Sequence, residues 1–313
     1  MSEFRPRIGV IGTGAIGGFY GLMLARAGHD VHFLLRSEYA AVSEKGLRLN
    51  SAVHGSLHLP SVQAWSHVED MPRCDWLLVG VKTTGNAEVA PLITRLAAPG
   101  AKVVLLQNGL GVEERLRPLL PESLHLLGGL CFICAHRSAP GVIEHQALGA
   151  INLGYHSGPE GGQSAGQIVE VGVELFLSSG VDSHAMPDLA VARWQKLVWN
   201  VPYNGLSVLL DAGTTRLMSS KDSRALISDL MQEVMLGAAA CGHALPQDYP
   251  QQLLGATERM PDYLPSMYHD FANNRPLELE AIYAAPLAAA AAAGCELPKM
   301  RMLLQALRFL DSR

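Results

Sequence analysis

Between positions 194 and 206 the chain reads WQKLVWNVPYNGL, an apolar stretch in which Lys196, Asn200 and Asn204 recur at steps of four. An ammonium group gains nothing from apolar surroundings unless it has partners or chemistry to perform there. On a helix, steps of four turn each side chain only about 40°, so the three polar groups span about 80° of one face and roughly 12 Å of axis. Trp194, Leu197, Val198, Trp199 and Val201 fill much of the remainder. Pro202 removes one helical hydrogen bond, so a bend or an opening is expected there. A cation and two amides on a mostly buried helix fit the lining of a cleft better than a solvated face. The competing reading is a polar stripe that pairs with another part of the chain.

A second constellation opens the chain. In IGVIGTGAIGGFYGLMLARAG, the glycines Gly12, Gly14 and Gly17 stand as G-x-G-x-x-G, interleaved with Thr13, Ala15 and Ile16. An apolar strand pattern precedes the motif, a helical pattern follows, and another strand pattern comes soon after, which is the context a dinucleotide site requires. Gly12 allows the tight turn, Gly14 lets a pyrophosphate reach the backbone, and Gly17 lets helix and strand pack closely. The helix N-terminus then holds the phosphates. The second strand ends HFLLRSE. Selectivity for NAD would place an acid at that end, whereas Arg36 followed by Ser37 suits a 2′-phosphate, so the expected cofactor is NADPH. Glu38 nearby pulls the other way, and Arg36 could be an ordinary surface arginine. Two further strand ends carry Lys82, in LLVGVKTTGN, and Asn108, in VVLLQNGLG. Ligands of open α/β sheets bind at such carboxyl ends, although either group could instead merely satisfy loop carbonyls. Together these groups suggest hydride transfer to a carbonyl, with Lys196 stabilising the developing oxyanion and protonating it.

The elements that must position these residues follow from pattern. RIGVIG, DVHFLLR, CDWLLVGVK and KVVLLQ read as strands, and GAIGGFYGLMLARAG and NAEVAPLITRLAA as helices. This alternation predicts a parallel sheet covered by helices. From about 130 to 155 the pattern becomes two antiparallel strands around a Pro-Gly turn, and QIVEVGVELFLSSG reads as a helix ending at Gly180. After Met186 the chain is expected to be helical, with a helix beginning at 194 and others at about 222–241, 276–293 and 298–311. The expected domains are therefore 1–187, α/β, and 188–313, all-α.

Composition sets the outer bounds. Of 313 residues, 49 % are hydrophobic and 17 % charged, enough for a large core. A net charge of −5 argues against a general nucleic-acid binder. The opening MSEFRPRIGVIG is too short in apolar residues for a secretion signal. Ala284–Ala293, interrupted by Pro286, is too short to span a membrane, so a cytoplasmic location is expected. Cys131 and Cys134 form a lone CxxC in an apolar strand pattern and read as inert buried thiols. No metal site is expected. Long apolar helices in the second half fit a homodimer and fit core packing equally well.

Gly12-Thr13-Gly14-Ala15-Ile16-Gly17, the V-K and Q-N-G strand ends, W-x-K-L-x-x-N-x-x-x-N and the later PSMYHD…RPLELE, taken in order, resemble the ketopantoate reductases (2-dehydropantoate 2-reductases). The resemblance covers nearly the whole chain. It implies a Rossmann-type domain that binds NADPH through Gly12–Gly17, Arg36, Lys82 and Asn108, followed by an all-helical domain. It also implies a small 2-oxo acid as substrate, seated between the domains and reduced with Lys196 as general acid. Asn108, Asn200 and Asn204 would contact the keto acid, Ser266 would take its carboxylate, and Glu278 would accept from its hydroxyl and pair with the lysine. Asp270 matches too, with a structural partnership to Arg275 the favoured role. Where the family commonly has Asn-Gly after the glutamate-bearing turn, this chain has Tyr283-Ala284, a departure that leaves room for another 2-oxo acid or a derived imine. A non-catalytic NADP(H) sensor is the alternative outside the enzyme class, disfavoured because a sensor has no need of a proton donor.

Overall fold

The computed structural model describes residues 6–312, so the residues MSEFR of the opening segment lie outside the described residues. Among those described, ten strands form one sheet: β1 (Arg7–Ile11), β2 (Asp30–Leu34), β3 (Leu47–Ser51), β4 (Gly55–Leu59), β5 (Gln63–Trp65), β6 (Cys74–Val79), β7 (Ala97–Leu105), β8 (His125–Ala139), β9 (Val142–Ser157) and β10 (Ser183–Ala185). Their order is β4-β3-β9-β8-β7-β6-β1-β2-β5, with β10 paired to β9. The run from β8 to β5 is parallel, as strand–helix alternation demands. The antiparallel pair expected around the Pro-Gly turn makes the sheet a mixed one. β8 and β9 form an antiparallel hairpin closed at Pro140-Gly141, and β3 and β4 form another. A tight turn can only join antiparallel strands, and the far edge of β9 then takes β3 in parallel.

In this first unit the helices are α1 (Ala15–Arg26), α2 (Tyr39–Lys45), α3 (Asn86–Leu96), α4 (Val112–Leu116) and α5 (Ala165–Leu177). Helix α1 is buried without a break from Gly17 to Leu24, which its nearly unbroken apolar sequence GGFYGLML requires. Val10, Phe19, Leu22, Phe33, Leu127, Ile151 and Phe176 share one core, each contributing about 1.5–3 kcal/mol by burial.

The second unit holds α6 (Leu189–Leu209), α7 (Thr214–Ser219), α8 (Lys221–Ala240), α9 (Tyr249–Glu258), α10 (Ser266–Ala272), a π-helical turn at Glu280–Ala284, α11 (Ala285–Ala292) and α12 (Pro298–Asp311). Two expectations are corrected here. Helix α6 starts at Leu189 rather than at 194, because Leu189 and Ala192 continue its buried face. The helix expected over about 276–293 is present as an unbroken helical run, but its opening stretch, Glu280–Ala284, is π-helical before it continues as α11. Trp194, Leu197, Val201, Leu206, Met231, Tyr283 and Leu303 belong to a separate core.

The first compact unit runs through Gln107 and from Val112 to Leu189; the second takes Asn108–Gly111 and the chain from Ala190 onward. The short loop departs from a simple division at 187 and 188. The Leu110 N–H donates to the Ala281 carbonyl at 2.9 Å, which ties the loop to the π-turn. Among the described residues no helix is long and apolar enough to cross a membrane.

Candidate active site

The glycine-rich turn behaves as its spacing requires. Gly12 holds φ at +89°, and a Cβ there would lie 2.6 Å from the Val81 nitrogen. A Cβ on Gly17 would run into the Gly12 carbonyl oxygen, whereas one on Gly14 would meet nothing within 4 Å. Helix α1 then begins at Ala15 with no acid in its first turn. Its leading N–H groups lack helical acceptors and present a positive dipole end. The Thr13 hydroxyl beside them is buried without a hydrogen-bond partner. Open space at Gly14, an orphaned donor and a helix N-terminus together fit a pyrophosphate. Gly80 was missed by sequence reasoning, yet a Cβ there would sit 2.8 Å from the Gly12 oxygen, so it too keeps the turn closed. Its only signal was a glycine breaking the apolar run LLVGV.

Arg36 follows β2 fully in solvent, its guanidinium 3.7 Å from the Glu88 carboxylate. Such an exposed pair holds its members weakly and leaves the arginine open to an anion. Glu38, the acid that might have served ribose hydroxyls instead, is buried: it accepts the Gly141 N–H at 3.0 Å and pairs with Arg137. That engagement with the β8–β9 turn removes the main objection to a 2′-phosphate at Arg36. Lys82 is half-buried and leads into a 3₁₀ turn, Thr83–Gly85. Gln107 was also overlooked. Its buried amide donates to the Val81 carbonyl at 3.0 Å and to Asn86 Oδ1 at 2.5 Å, stapling the end of β7 to the segment that carries Lys82.

The remaining candidates lie in the second unit. On α6, Lys196 is half-buried, while Asn200 and Asn204 are buried. The apolar side of the helix is anchored by Trp194, Leu197, Val198 and Val201, and the Trp199 N–H donates to Thr257 Oγ1 at 3.1 Å. Glu278 is buried just before the π-turn, and its carbonyl accepts the Ile282 N–H at 3.2 Å. Asn108 sits in the loop that bonds to the same turn through Leu110. Tyr283 in that turn donates its hydroxyl to the Val201 carbonyl at 2.9 Å. Three separated segments, carrying Asn108, Glu278 and the asparagines of α6, are thus tied together, by a backbone bond from Leu110 to Ala281 and by the Tyr283 hydroxyl on the Val201 carbonyl. Tyr283 is wholly buried in doing so; the bulkier corner expected at Tyr283-Ala284 is packed on α6. Ser266, half-buried, is the first residue of α10, and Asp270 on the same helix pairs with Arg275 at 2.9 Å.

Among the described residues no three His, Cys, Asp or Glu side chains gather where they could hold a metal ion. Cys131 and Cys134 are buried in β8, and burial pushes the Cys134 thiol up to about 12, which leaves it unreactive at neutral pH.

A dinucleotide-binding α/β unit followed by a helical unit carrying an internal lysine defines the class, an NADP-dependent oxidoreductase. Comparison with known proteins agrees. Residues 8–158 match the family described as ketopantoate reductase PanE/ApbA, and residues 188–311 match its C-terminal domain. The 2-dehydropantoate 2-reductase of a Nostoc species is 41 % identical over 97 % of this chain and 95 % of its own. The crystal structure of 2-dehydropantoate 2-reductase from Geobacter metallireducens superposes with a TM-score of 0.88 at 39 % identity, covering 96 % of this chain and 99 % of that one. The enzyme of the same name from Methylococcus capsulatus gives 0.85 at 34 % identity, covering 98 % and 97 %. The chain belongs to the ketopantoate reductase family.

Proposed function

We propose that this chain reduces 2-dehydropantoate (ketopantoate) to pantoate with NADPH. The observation that carries the reading is the bonded trio of segments in the second unit: α6 with Lys196, Asn200 and Asn204, the turn after Glu278, and the loop of Asn108. NADPH, when bound, supplies the hydride; Gly12–Gly17 would hold its pyrophosphate, Arg36 its 2′-phosphate, and Lys82 would lie near cofactor and substrate. The protein's own task is to manage charge on the substrate. As hydride reaches the 2-oxo carbon, negative charge builds on the oxygen. The Lys196 ammonium stabilises that charge and then gives up a proton, yielding the 2-hydroxy acid. Asn108, Asn200 and Asn204 offer neutral donors and acceptors that orient the keto acid without adding charge. Ser266 donates to the substrate carboxylate, and Glu278 accepts from the hydroxyl that is formed. The substrate is a small soluble acid, and the reading places the enzyme in the cytoplasm.

The direct test is steady-state NADPH oxidation with ketopantoate beside other 2-oxo acids, each with and without ammonium or a simple amine. Saturable turnover with ketopantoate as the best substrate is the expected result. Preference for another keto acid would reassign the substrate, and NADPH binding without oxidation by any of them would defeat the catalytic reading.

A further inference from the structure

The Tyr283 phenol occupies an unusual place. It is wholly buried, and its hydroxyl donates to the Val201 carbonyl at 2.9 Å, a carbonyl inside α6. The same oxygen lies against Gly205, where a Cβ would come within 2.5 Å of it, so only glycine admits the hydroxyl at this depth. Burial drives the phenol above its ordinary value against the pull of the Gly205 N–H, which points at the same oxygen, so it remains a donor at any working pH. One hydroxyl therefore sits between a carbonyl and an N–H four residues apart, the pair that an undisturbed helix would bond directly. Pro202 lies within the same turn and cannot donate to Val198. The stretch of α6 that carries Asn200 and Asn204 therefore lacks one ladder donor at Pro202 and is gripped by Tyr283 at the turn from Val201 to Gly205. The residue making this contact comes from the π-turn that follows Glu278 and receives Leu110 of the Asn108 loop.

We propose that Tyr283 is a positioning residue for the keto acid site: its hydroxyl, bonded to Val201 and packed on Gly205, fixes the turn that follows Glu278 against the stretch of α6 that carries Asn200 and Asn204. The inference rests on the substrate roles assigned above. It extends them to a residue that touches no substrate and acts through backbone alone. Loss of that bond lets the turn after Glu278 shift against α6, so it weakens keto acid binding and leaves the dinucleotide site of the other unit unaffected.

Tyr283→Phe deletes one oxygen from a packed ring. At 25 °C and saturating NADPH, its KM for ketopantoate should rise about tenfold, equivalent to roughly 1.4 kcal/mol, with NADPH affinity unchanged by fluorescence titration. A purely structural brace would lower Tm without moving KM, so an unchanged KM overturns the proposal even where Tm falls. Should Tyr283→Phe fail to fold, Gly205→Ala, which displaces the hydroxyl rather than removing it, takes the same measurement with the same two outcomes. Glu278→Ala is assayed alongside. A raised KM in Glu278→Ala beside a normal one in Tyr283→Phe removes this inference alone. Normal KM values in both remove the substrate site on which it rests.

Discussion

Lys196 and Arg36 are two cations in different surroundings, and the proposed function gives them different tasks. Lys196 stands half-buried on a helix whose neighbouring side chains are packed. General acids contribute about 10²–10⁴ in rate. Lys196→Ala should lose kcat in that range while NADPH affinity, measured by fluorescence titration, stays within experimental error; near-normal turnover would remove the lysine from the chemistry. Arg36, by contrast, stands in solvent beside an equally exposed Glu88. In the proposed function its contribution is selectivity. Arg36→Ala should lower kcat/KM for NADPH by roughly tenfold or more, as expected for one lost charge-assisted contact of about 1.5–3 kcal/mol, and leave NADH nearly untouched. An unchanged ratio of the two cofactors would show that the 2′-phosphate is read elsewhere.

At the scale of elements, what could be read ahead was whatever local pattern dictates. The G-x-G-x-x-G turn, the helical pattern of QIVEVGVELFLSSG and the proline-led start of α12 at Pro298 are short-range facts, and the structure places those elements within a few residues of expectation. Strands β3, β4 and β5 escaped because LRLNS, GSLHL and QAW are short and partly polar, and half their side chains face solvent. They exist because β9 and β2 offer them edges, which is information held far away in the chain. The site shows the same divide. Lys196, Asn200 and Asn204 announced themselves by spacing on one helix, whereas Gln107 and Tyr283 act through partners that no periodicity reveals. Glu233 is another such case. From the middle of α8 its buried carboxylate accepts the Lys299 and Met300 N–H groups, each at 2.9 Å, and so caps α12 from outside. Pro298 has no N–H to offer, so these are the first donors of that helix. Glu233→Gln turns one acceptor into a donor facing a donor, and it should cost about 1–3 kcal/mol. A thermal melt would register this as a lower Tm with kcat retained at 25 °C; an unchanged Tm would show that the cap is dispensable.

For the molecule as a whole, acid is expected to be felt first in the α/β unit. Four of its histidines, His32, His54, His125 and His145, are held below the ordinary imidazole value, in each case chiefly by burial. Nearby cations reinforce this: Arg7 at His32, Arg26 at His54 and Lys102 at His125. At His32 the reason is geometric as well. The Trp65 N–H donates to Nδ1 at 3.0 Å, so the ring proton must be on Nε2, 3.2 Å from Asp30 Oδ1. A second proton could only land on Nδ1, where Trp65 already donates. The Asp30 carboxylate favours that proton, but desolvation and Arg7 prevail. Because the folded values lie below the unfolded one of about 6.5, the unfolded chain binds more protons in the window beneath it, and stability rises with pH there. The contribution is complete above about pH 6.5 and is lost as pH falls from there through the folded values. Tm should accordingly be lower at pH 5.5 than at pH 7.5, well above the range in which carboxylates titrate. Trp65→Phe removes the donor that blocks Nδ1 and should flatten the dependence while lowering Tm at pH 7.5. Equal melting temperatures at the two pH values in the wild type would show that these imidazoles accept protons without cost to the fold.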